Sequence, residues 1–273
     1  LVHPAFTNKP ENGGWDSELA GIWVGKFETT GNINNLSVKP GVTSVRYQSA
    51  NTMYLAGKSA TFGEASSNSV GSHMMKNSEW GAVAYLSHSK YGVNSAKIDR
   101  NTSSSFITGE SSNFETIYTN NKDQSTTGNS YGVYDMVGGA YEQTANYVNY
   151  ANNSNLQTYG GTNAGDLYGA NATEHSTSTK YKTVYEAVDT STYNSYNKSM
   201  TIKGDAVYET SNSYSSATGS WLEAYSYFMH IGGPFFIRGG HYINNNSGVF
   251  YFNSSNGSES DGGASFRITL ISL

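Results

Sequence analysis

The sequence predicts an α+β fold built from short antiparallel strands, about two helices and long irregular insertions. Short β-prone runs bounded by glycine occur near both ends of the chain. Only residues 72–92 contain clear helical spacing. A polar segment over residues 146–220 is too long for a simple loop in a compact domain. With no internal repeat, these features indicate one domain over residues 19–273, preceded by a lead-in or linker over residues 1–18.

The composition is unusual for a globular protein. Of 273 residues, 36% are hydrophobic and 14% are charged, and Asn, Ser, Thr, Gly and 22 Tyr make up the difference. The low net charge argues against disorder, which usually combines low hydrophobicity with high charge. Tyr, Ser, Gly and Asn are also the residues of binding loops. Because the bias covers the whole chain, it indicates a recognition function only weakly.

Charge and cysteine content exclude several function classes. A net charge of -5 and a pI near 5.7, without a Lys/Arg cluster, argue against a nucleic-acid partner. No apolar run is long enough to insert across a membrane. The absence of cysteine excludes disulfides and thiolate chemistry. No signal peptide is evident, and a chain that starts at Leu1 rather than Met is expected to be a mature form or a fragment of a longer protein.

The N-terminal half should contain one strand and the clearest helix. Residues 20–29 are β-branched and aromatic between glycines and predict a strand, and residues 31–45 are rich in turn signals. Asn77 or Ser78 can cap the helix, and Gly92 can end it. The stripe expected to pack on a sheet consists of Trp80, Val83, Ala84 and Leu86.

The middle of the chain is less regular. Residues 98–126 lack a strong period and are expected to form loops with short strands. The insertion over residues 146–220 must carry short elements of its own, and a helix is expected near residues 221–228.

Three apolar segments near the C-terminus frame two polar patches. Residues 235–242 come first, Phe250 and Phe252 alternate with Val249 and Tyr251, and residues 266–271 close the chain. Between them lie the polar inserts, residues 244–247 and 253–265. A rigid frame that holds polar loops is typical of a recognition site.

Several motifs resemble one known fold family. Residues 131–142 (YGVYDMVGGAYE) resemble the YGLYDMxGNVWEW segment of C-type lectin folds of the formylglycine-generating-enzyme (sulfatase-modifying factor) type. Residues 237–240 (IRGG) and 265–267 (SFR) resemble the RGGSW and GFR signatures, and residues 22–28 (IWVGKFE) resemble the opening strand FWIGKYEVT. Residues 77–80 (NSEW) resemble the start of the TEAEWE helix. The matches are in family order and cover nearly the whole chain.

Within that fold, the C-terminus is most similar to the variable proteins of diversity-generating retroelements. Residues 247–250 (SGVF) resemble their fixed AGVF strand. The resemblance implies a non-enzymatic, surface-displayed domain of a phage or bacterium that binds an unknown protein or glycan on a cell surface. It implies a variable region over residues 237–267, with the diversified ligand-binding positions His241, Tyr242, Asn244, Asn245, Asn246, Tyr251, Asn253, Ser258, Ser260, Asp261 and Gly263.

Two departures narrow the choice within the family. The formylglycine-generating enzymes use a pair of cysteines to bind copper, and this chain has none. Gly139 stands where the family often has Asn, followed by Glu142, so the oxygen set that holds calcium in relatives looks incomplete. No cofactor is expected, and a structural calcium ion stays an open possibility. The motifs of calcium-dependent sugar-binding lectins are absent.

Other interpretations of the same residues stay open. Arg238 and Arg267 are expected to be structural guanidinium groups that tie loops to carbonyls and carboxylates. The six histidines show no metal-ligand spacing. A divergent enzyme of the same fold would use Asp135, Glu142 or His241, although a fold-stabilising role is favoured for the two acids. A further alternative is an undiversified structural domain that decorates a phage tail.

Overall fold

The computed structural model describes residues 2–62, 70–111, 117–187, 202–213, 216–258, 260 and 262–272. Within this part of the chain the architecture is α+β, with short, mostly antiparallel sheets and four α-helices. The general class predicted from the sequence is therefore confirmed. No helix of the described residues is long and apolar enough to cross a bilayer.

The strands of the described residues are short, apart from one of nine residues. They are β1 (Trp23–Val24), β2 (Thr30–Asn32), β3 (Asn35–Ser37), β4 (Val70–Met74), β5 (Tyr141–Asn149), β6 (Thr183–Glu186), β7 (Phe235–Arg238), β8 (Phe252–Ser255), β9 (Ala264–Phe266) and β10 (Ile268–Ser272).

These strands form three sheets. The first has the order β1-β10-β4 and the second pairs β2 with β3, and both are antiparallel. The third is mixed: β7 pairs antiparallel with β5 and with β8, whereas β9 and β6 run parallel to the first and last residues of β5. Because only Arg267 separates β9 from β10, that residue joins two of the sheets.

The helices are α1 (Ala50–Ser59), α2 (Asn77–Ser87), α3 (Ser154–Gly160) and α4 (Ala172–Ser176). The helix predicted within residues 72–92 is confirmed, with Trp80 and Ala84 fully buried. Its predicted ends are wrong, because the N-cap is Lys76 rather than Asn77 or Ser78 and the helix ends at Ser87 rather than at Gly92. Leu86, however, is 58% exposed, so its expected place in the buried stripe is wrong. The sequence reading missed α1, whose N-cap Ser49 accepts a hydrogen bond from Thr52 N–H at 3.2 Å.

Two regular elements expected from the sequence are shorter than predicted. In the stretch 20–29 only Trp23–Val24 is a strand. After Val24 the chain no longer forms a regular β-ladder, although Thr29 N–H still donates to Phe266 O at 3.0 Å. The helix expected near residues 221–228 is a single 3₁₀ turn, Trp221–Glu223.

The central strand β5 is polar and nevertheless buried from Glu142 to Val148. Asn146 has one partner at the start of α2, since its Oδ1 accepts from Asn77 N–H at 2.9 Å, and one on its own strand, since its Nδ2 donates to Thr144 Oγ1 at 2.6 Å. Helix N-termini leave backbone N–H groups without intrahelical partners. A buried asparagine on the strand satisfies one of them and fixes the helix on the sheet.

The predicted insertion and lead-in both contain ordered structure. Helices α3 and α4 and strand β6 lie in residues 146–220, although the first residues of that range belong to β5 and residues 188–201 and 214–215 lie outside the described part. In the lead-in, Trp15 is buried, and its Nε1 donates to Ala5 O at 2.7 Å.

Candidate ligand-binding face

A glycine pair turns the chain out of β7 and into the first of two loops. Gly239 and Gly240 have φ of +77° and +80°, a region that L side chains rarely adopt. A Cβ on Gly240 would lie 2.8 Å from Ser247 Cβ. Glycine at this position therefore allows the loop of residues 239–251, hereafter the first loop, to close on itself.

The first loop is held in shape by its own hydrogen bonds. His241 N–H donates to Asn244 Oδ1 at 2.7 Å, and Asn244 N–H donates to His241 O at 2.8 Å. Ser247 Oγ donates to Asn244 O at 2.9 Å. Asn244, predicted as a ligand-binding position, thus has its carboxamide oxygen engaged inside the loop.

The residues around the two loops, hereafter the frame, hold both loops by their main chains. In the first loop the contacts are Tyr242 N–H to Gly139 O (2.9 Å), Tyr225 N–H to Asn246 O (3.0 Å) and Arg100 Nη1 to Asn244 O. In the second loop, residues 256–263, they are Tyr141 N–H to Gly263 O (2.8 Å) and Arg46 Nη1 to Gly262 O. None of these contacts depends on the side chain that the loop residue carries.

An aromatic row runs from the frame into the first loop. Neighbouring rings along it have centroids 4.3–6.4 Å apart, a separation typical of interacting aromatic pairs. In spatial order its members are Tyr227, Tyr225, Tyr251, Tyr141, His241 and Tyr242. Except for Tyr251, every member is half-buried.

The far end of the row is supported by a cation. Phe106 packs edge-on to His241 and to Tyr242, each at 5.2 Å between centroids. The Arg46 guanidinium lies 3.9 Å from the centroid of Phe106, a favourable cation–π distance. Because Arg46 also binds Gly262 O, the first and second loops meet at this cluster.

Tyr251 departs from the sequence prediction of an exposed, diversified position. It is only 2% exposed. Its ring lies between Tyr225 and Tyr141, at 5.6 and 6.1 Å, and its hydroxyl accepts from Asn253 Nδ2 at 3.3 Å. Burial raises the pKa of the Tyr251 phenol well above its ordinary value. Tyr251 therefore belongs to the core beneath the face.

The predicted alternation around Tyr251 is also wrong. Residues 249–252 are all buried, because residues 248–251 form a turn that Tyr251 N–H closes on Gly248 O at 2.9 Å. The strand begins only at Phe252. Phe250 and Phe252, which the alternation placed on one face, are both buried.

The remaining predicted positions divide by exposure. Asn245 and Ser260 are exposed, while His241, Tyr242, Asn246, Asn253 and Gly263 are half-buried. Ser258 is mostly buried, so its expected exposure is wrong, and its Oγ lies 2.8 Å from Ser260 Oγ. Asp261 lies outside the described residues.

The two arginines that flank the loops are buried, as predicted for structural groups. Arg267 Nε donates to Glu142 Oε2 at 2.9 Å, and its Nη2 donates to Glu142 Oε1 and to Tyr134 O. Arg238 Nη2 donates to Ala206 O at 3.1 Å. Burial lowers the pKa of Arg238 to about 10. Arg267 thus ties a carboxylate and loop carbonyls together, which confirms its expected role.

Three buried carboxylates lie below the face. Burial raises the pKa of Glu28 well above its ordinary value, and repulsion from Asp135 and Glu142 raises it further. Burial raises the pKa of Glu142 to about 7, although Arg267 opposes the shift. Asp135 Oδ1 accepts from Asn101 Nδ2 and from Gly109 N–H, both at 2.8 Å. These contacts are those of a structural cluster.

The contacts of Glu142 also decide whether the calcium ion considered from the sequence could bind there. Both oxygens of Glu142 bind the Arg267 guanidinium, so a cation there would have to displace an arginine. The described residues contain no group of three or more His, Cys, Asp or Glu that could hold a metal ion. The donor set around Glu142 does not fit calcium.

Sequence reasoning missed half of the face. Arg46, Phe106, Tyr225 and Tyr227 come from segments without a recognisable motif, and Tyr141 lies in the segment that resembles the fold family. Their common signal is an aromatic or planar side chain in a polar stretch. That signal is too frequent in a chain with 22 Tyr to select these residues.

Comparisons with known proteins do not assign the chain to a family. No protein-family model matches the chain, and a search of curated proteins finds no match to it.

Proposed function

We propose that this protein is a non-enzymatic recognition domain with a C-type lectin fold, and that its two C-terminal loops form a retroelement-diversified surface. The domain would be displayed on a phage or bacterial surface and bind a protein or glycan on another cell. Loops of this kind need a scaffold that tolerates many side chains and a face that offers contact area.

The observation that carries the proposal is the way the frame holds the loops. Contacts from the frame reach main-chain groups of both loops. Among the described residues, the frame makes one hydrogen bond to the side chains of Asn245, Asn246 and Ser260, from Arg100 Nη1 to the exposed Asn245 Oδ1 at 3.2 Å. Every amino acid has a carbonyl group, and every one except proline has a backbone N–H. The side chains of Asn245, Asn246 and Ser260 can therefore change while the backbone stays in place.

The composition of the face supports binding. Tyrosine and histidine rings in the aromatic row supply rigid contact area, and the neighbouring Asn and Ser side chains supply adaptable hydrogen bonds. Tyrosine is also enriched among residues that dominate binding energy. Buried carboxylates bound to Arg267, Asn101 and Gly109 offer no comparable support for catalysis.

A substitution panel tests the tolerance of the loops. We expect replacement of Asn245, Asn246 or Ser260 by Ala, Asp or Lys to change the free energy of unfolding by only about ±0.5 kcal/mol. As the matched contrast, Asn244→Ala removes the acceptor of His241 N–H and should cost about 1 kcal/mol. Urea denaturation measures both. If most of the panel unfolds as readily as Asn244→Ala or more so, the loops are not tolerant and the proposal fails.

The coding DNA tests diversification itself. We expect a near-identical repeat of the segment that encodes residues 237–267, differing only at template adenines and lying near a reverse-transcriptase gene. If that repeat is absent, the domain is an undiversified structural or tail-decorating module.

A further inference from the structure

An exposed tyrosine with an unfavourable backbone conformation lies beside the second loop. Tyr47 has φ of +60°, which is rare for a bulky L residue, and its exposed fraction is 60%. Phe106 has a similar φ of +57°, but it is only 8% exposed, so the burial of its ring offsets the strain. Tyr47 gains little burial in return. Packing of the ring therefore does not explain why a tyrosine occupies this position.

Glycine at position 47 would remove the strain. Glycine adopts positive φ without steric cost, and asparagine adopts it more readily than a bulky residue does. Residues held in such conformations cluster at ligand-binding and catalytic sites. A mostly exposed tyrosine in this conformation indicates that its side chain contacts another molecule.

The turn that carries Tyr47 is fixed at both ends by backbone hydrogen bonds. Val45 N–H donates to Thr29 O at 2.8 Å, and Ala50 N–H, at the start of α1, donates to Gly257 O of the second loop at 3.0 Å. Neither bond involves the side chain of a loop residue. The position of Tyr47 relative to the second loop is therefore set by main-chain groups.

The ring of Tyr47 packs against the backbone of the second loop. A Cβ on Gly262 would lie 2.3 Å from Tyr47 Cε1, so any other residue at position 262 would displace the ring. Gly262 lies inside the variable region 237–267 but is not one of the predicted diversified positions. The contact between Tyr47 and the loop can thus persist while the neighbouring side chains change.

Through Arg46, the ring of Tyr47 continues the aromatic row. The Arg46 guanidinium lies 5.1 Å from the ring centroid of Tyr47 and 3.9 Å from that of Phe106. Phe106 in turn contacts His241 and Tyr242, at the end of the row. Tyr47 thus extends the row from the first loop to the second. A molecule that contacts both ends must cover both loops, which is the extent of a protein interface rather than of one sugar ring.

We propose that Tyr47 is a fixed contact residue for protein ligands and supplies the same aromatic anchor whatever side chains the loops carry. This inference rests on the proposed function, since it takes the two loops as the ligand-binding face. Tyrosine is among the residues that dominate binding energy between proteins, and a ring that is already held in place loses little entropy on binding. The loops would determine which protein binds, and Tyr47 would contribute affinity to each complex.

Binders selected from a loop library test the proposal. The library uses the whole chain, randomised at residues 241, 242, 245, 246 and 260, and is selected separately against lysozyme, ubiquitin, thioredoxin and the polysaccharide dextran. In clones that bind one of the three proteins, Tyr47→Gly should weaken binding about tenfold or more, measured by biolayer interferometry. Tyr47→Phe keeps the ring and should retain most of the affinity. Tyr131→Ala is the control, because Tyr131 is 90% exposed and lies outside the face.

The melting temperature separates a contact role from a structural one. Tyr47→Gly relieves the left-handed conformation and removes a mostly exposed ring, so it should leave the melting temperature unchanged. Loss of affinity together with a lower melting temperature would overturn the proposal, because the ring would then serve the fold.

The outcomes also distinguish this inference from the proposed function. Protein binders that keep their affinity with Tyr47→Gly, or a folded library that yields no protein binder, would overturn the inference and leave the tolerance of the loops intact. An effect of Tyr47→Gly confined to dextran binders would overturn the choice of a protein ligand. Unfolding of most library members would contradict the proposed function, and the inference would fail with it.

Discussion

Residues close together in the first loop differ sharply in what a substitution should do. Tyr251 is buried between two rings, whereas Asn245 is exposed and its backbone is positioned by its neighbours. The resemblance assigned both residues to the diversified surface. Burial, which the sequence does not reveal here, decides which position can vary.

Tyr251→Ala should therefore be strongly destabilising. Removal of a buried aromatic ring leaves a cavity, and we expect a loss of about 3–5 kcal/mol in the free energy of unfolding. Asn245→Ala is the matched control, with a change of about ±0.5 kcal/mol. Urea denaturation followed by circular dichroism measures both. Equal stability of the two variants would show that Tyr251 is not part of the core.

The buried carboxylates predict how stability depends on pH. The pKa of Glu28 is raised well above 4.5 and that of Glu142 to about 7, so the folded state keeps protons that the unfolded chain has lost. The stabilisation is complete below the unfolded pKa and is lost as pH rises through the folded pKa. The free energy of unfolding should fall between pH 5 and 8, by up to about 1.4 kcal/mol per pH unit for each proton.

Glu28→Gln tests this assignment. Glutamine mimics the protonated acid and can keep the hydrogen bond from Ala140 N–H, at 2.9 Å in the native protein. It also removes a charge that repels Asp135 and Glu142. We expect a smaller loss of stability between pH 5 and 8 than in the native protein, measured by melting temperature. Glu18→Gln, at an exposed position, should keep the native slope; an unchanged slope in Glu28→Gln would contradict the assignment.

At the scale of elements, one strand and one helix depend on each other. Asn146 on β5 accepts the N–H of Asn77 at the start of α2 and donates to Thr144. Asn146→Ala leaves that buried N–H without a partner, so we expect a loss of about 1–3 kcal/mol. Asn149→Ala, at the half-buried end of the same strand, should change stability by about ±0.5 kcal/mol. Hydrogen exchange of the first turn of α2 would localise the effect.

Elements with a strong local signal could be predicted, and those defined by tertiary contacts could not. Helix α2 has apolar residues at helical spacing and was found from the sequence. Strand β5 is polar, and its buried position depends on α2, on β7 and on the parallel strands beside it. Helix α1 was not predicted, although its buried residues, Ala50, Met53, Tyr54 and Gly57, recur at helical spacing. Two of the four are the small residues Ala and Gly, so the stripe carries little apolar signal.

At the scale of the whole molecule, the N-terminal segment packs on the domain that follows it. Trp15 is buried, and the ammonium group of Lys76 lies 4.6 Å from its ring centroid and donates to Gly13 O at 2.7 Å. Burial lowers the pKa of Lys76 to about 8. The segment therefore covers a buried cation at the start of α2.

Trp15→Ala should destabilise the domain as a whole. We expect a cost of about 3–5 kcal/mol, because the ring fills a buried site and covers Lys76. The melting temperature of the variant, followed by far-ultraviolet circular dichroism, measures it. Trp23→Ala is the control, since Trp23 is 59% exposed. A change no larger than that of the control would mean that the segment adds little to the fold.

The sequence indicated where the loops of the candidate face lie along the chain, but not which other residues complete the face. The position of the two polar loops between buried segments followed from the pattern near the C-terminus. The supporting residues Arg46, Phe106, Tyr141 and Tyr225 come from distant parts of the chain and meet only in the folded protein. No periodicity or spacing in a single sequence indicates that these residues come into contact.

The bond from Tyr242 N–H to Gly139 O has one consequence for any repertoire built on this scaffold. Nineteen of the twenty standard amino acids bring the required hydrogen to position 242, and proline alone does not. A population of sister sequences drawn at random should therefore be depleted of proline at this one site after selection for folding. The N–H of residue 245 makes no hydrogen bond to the frame among the described residues. Proline should therefore be lost less often at that position.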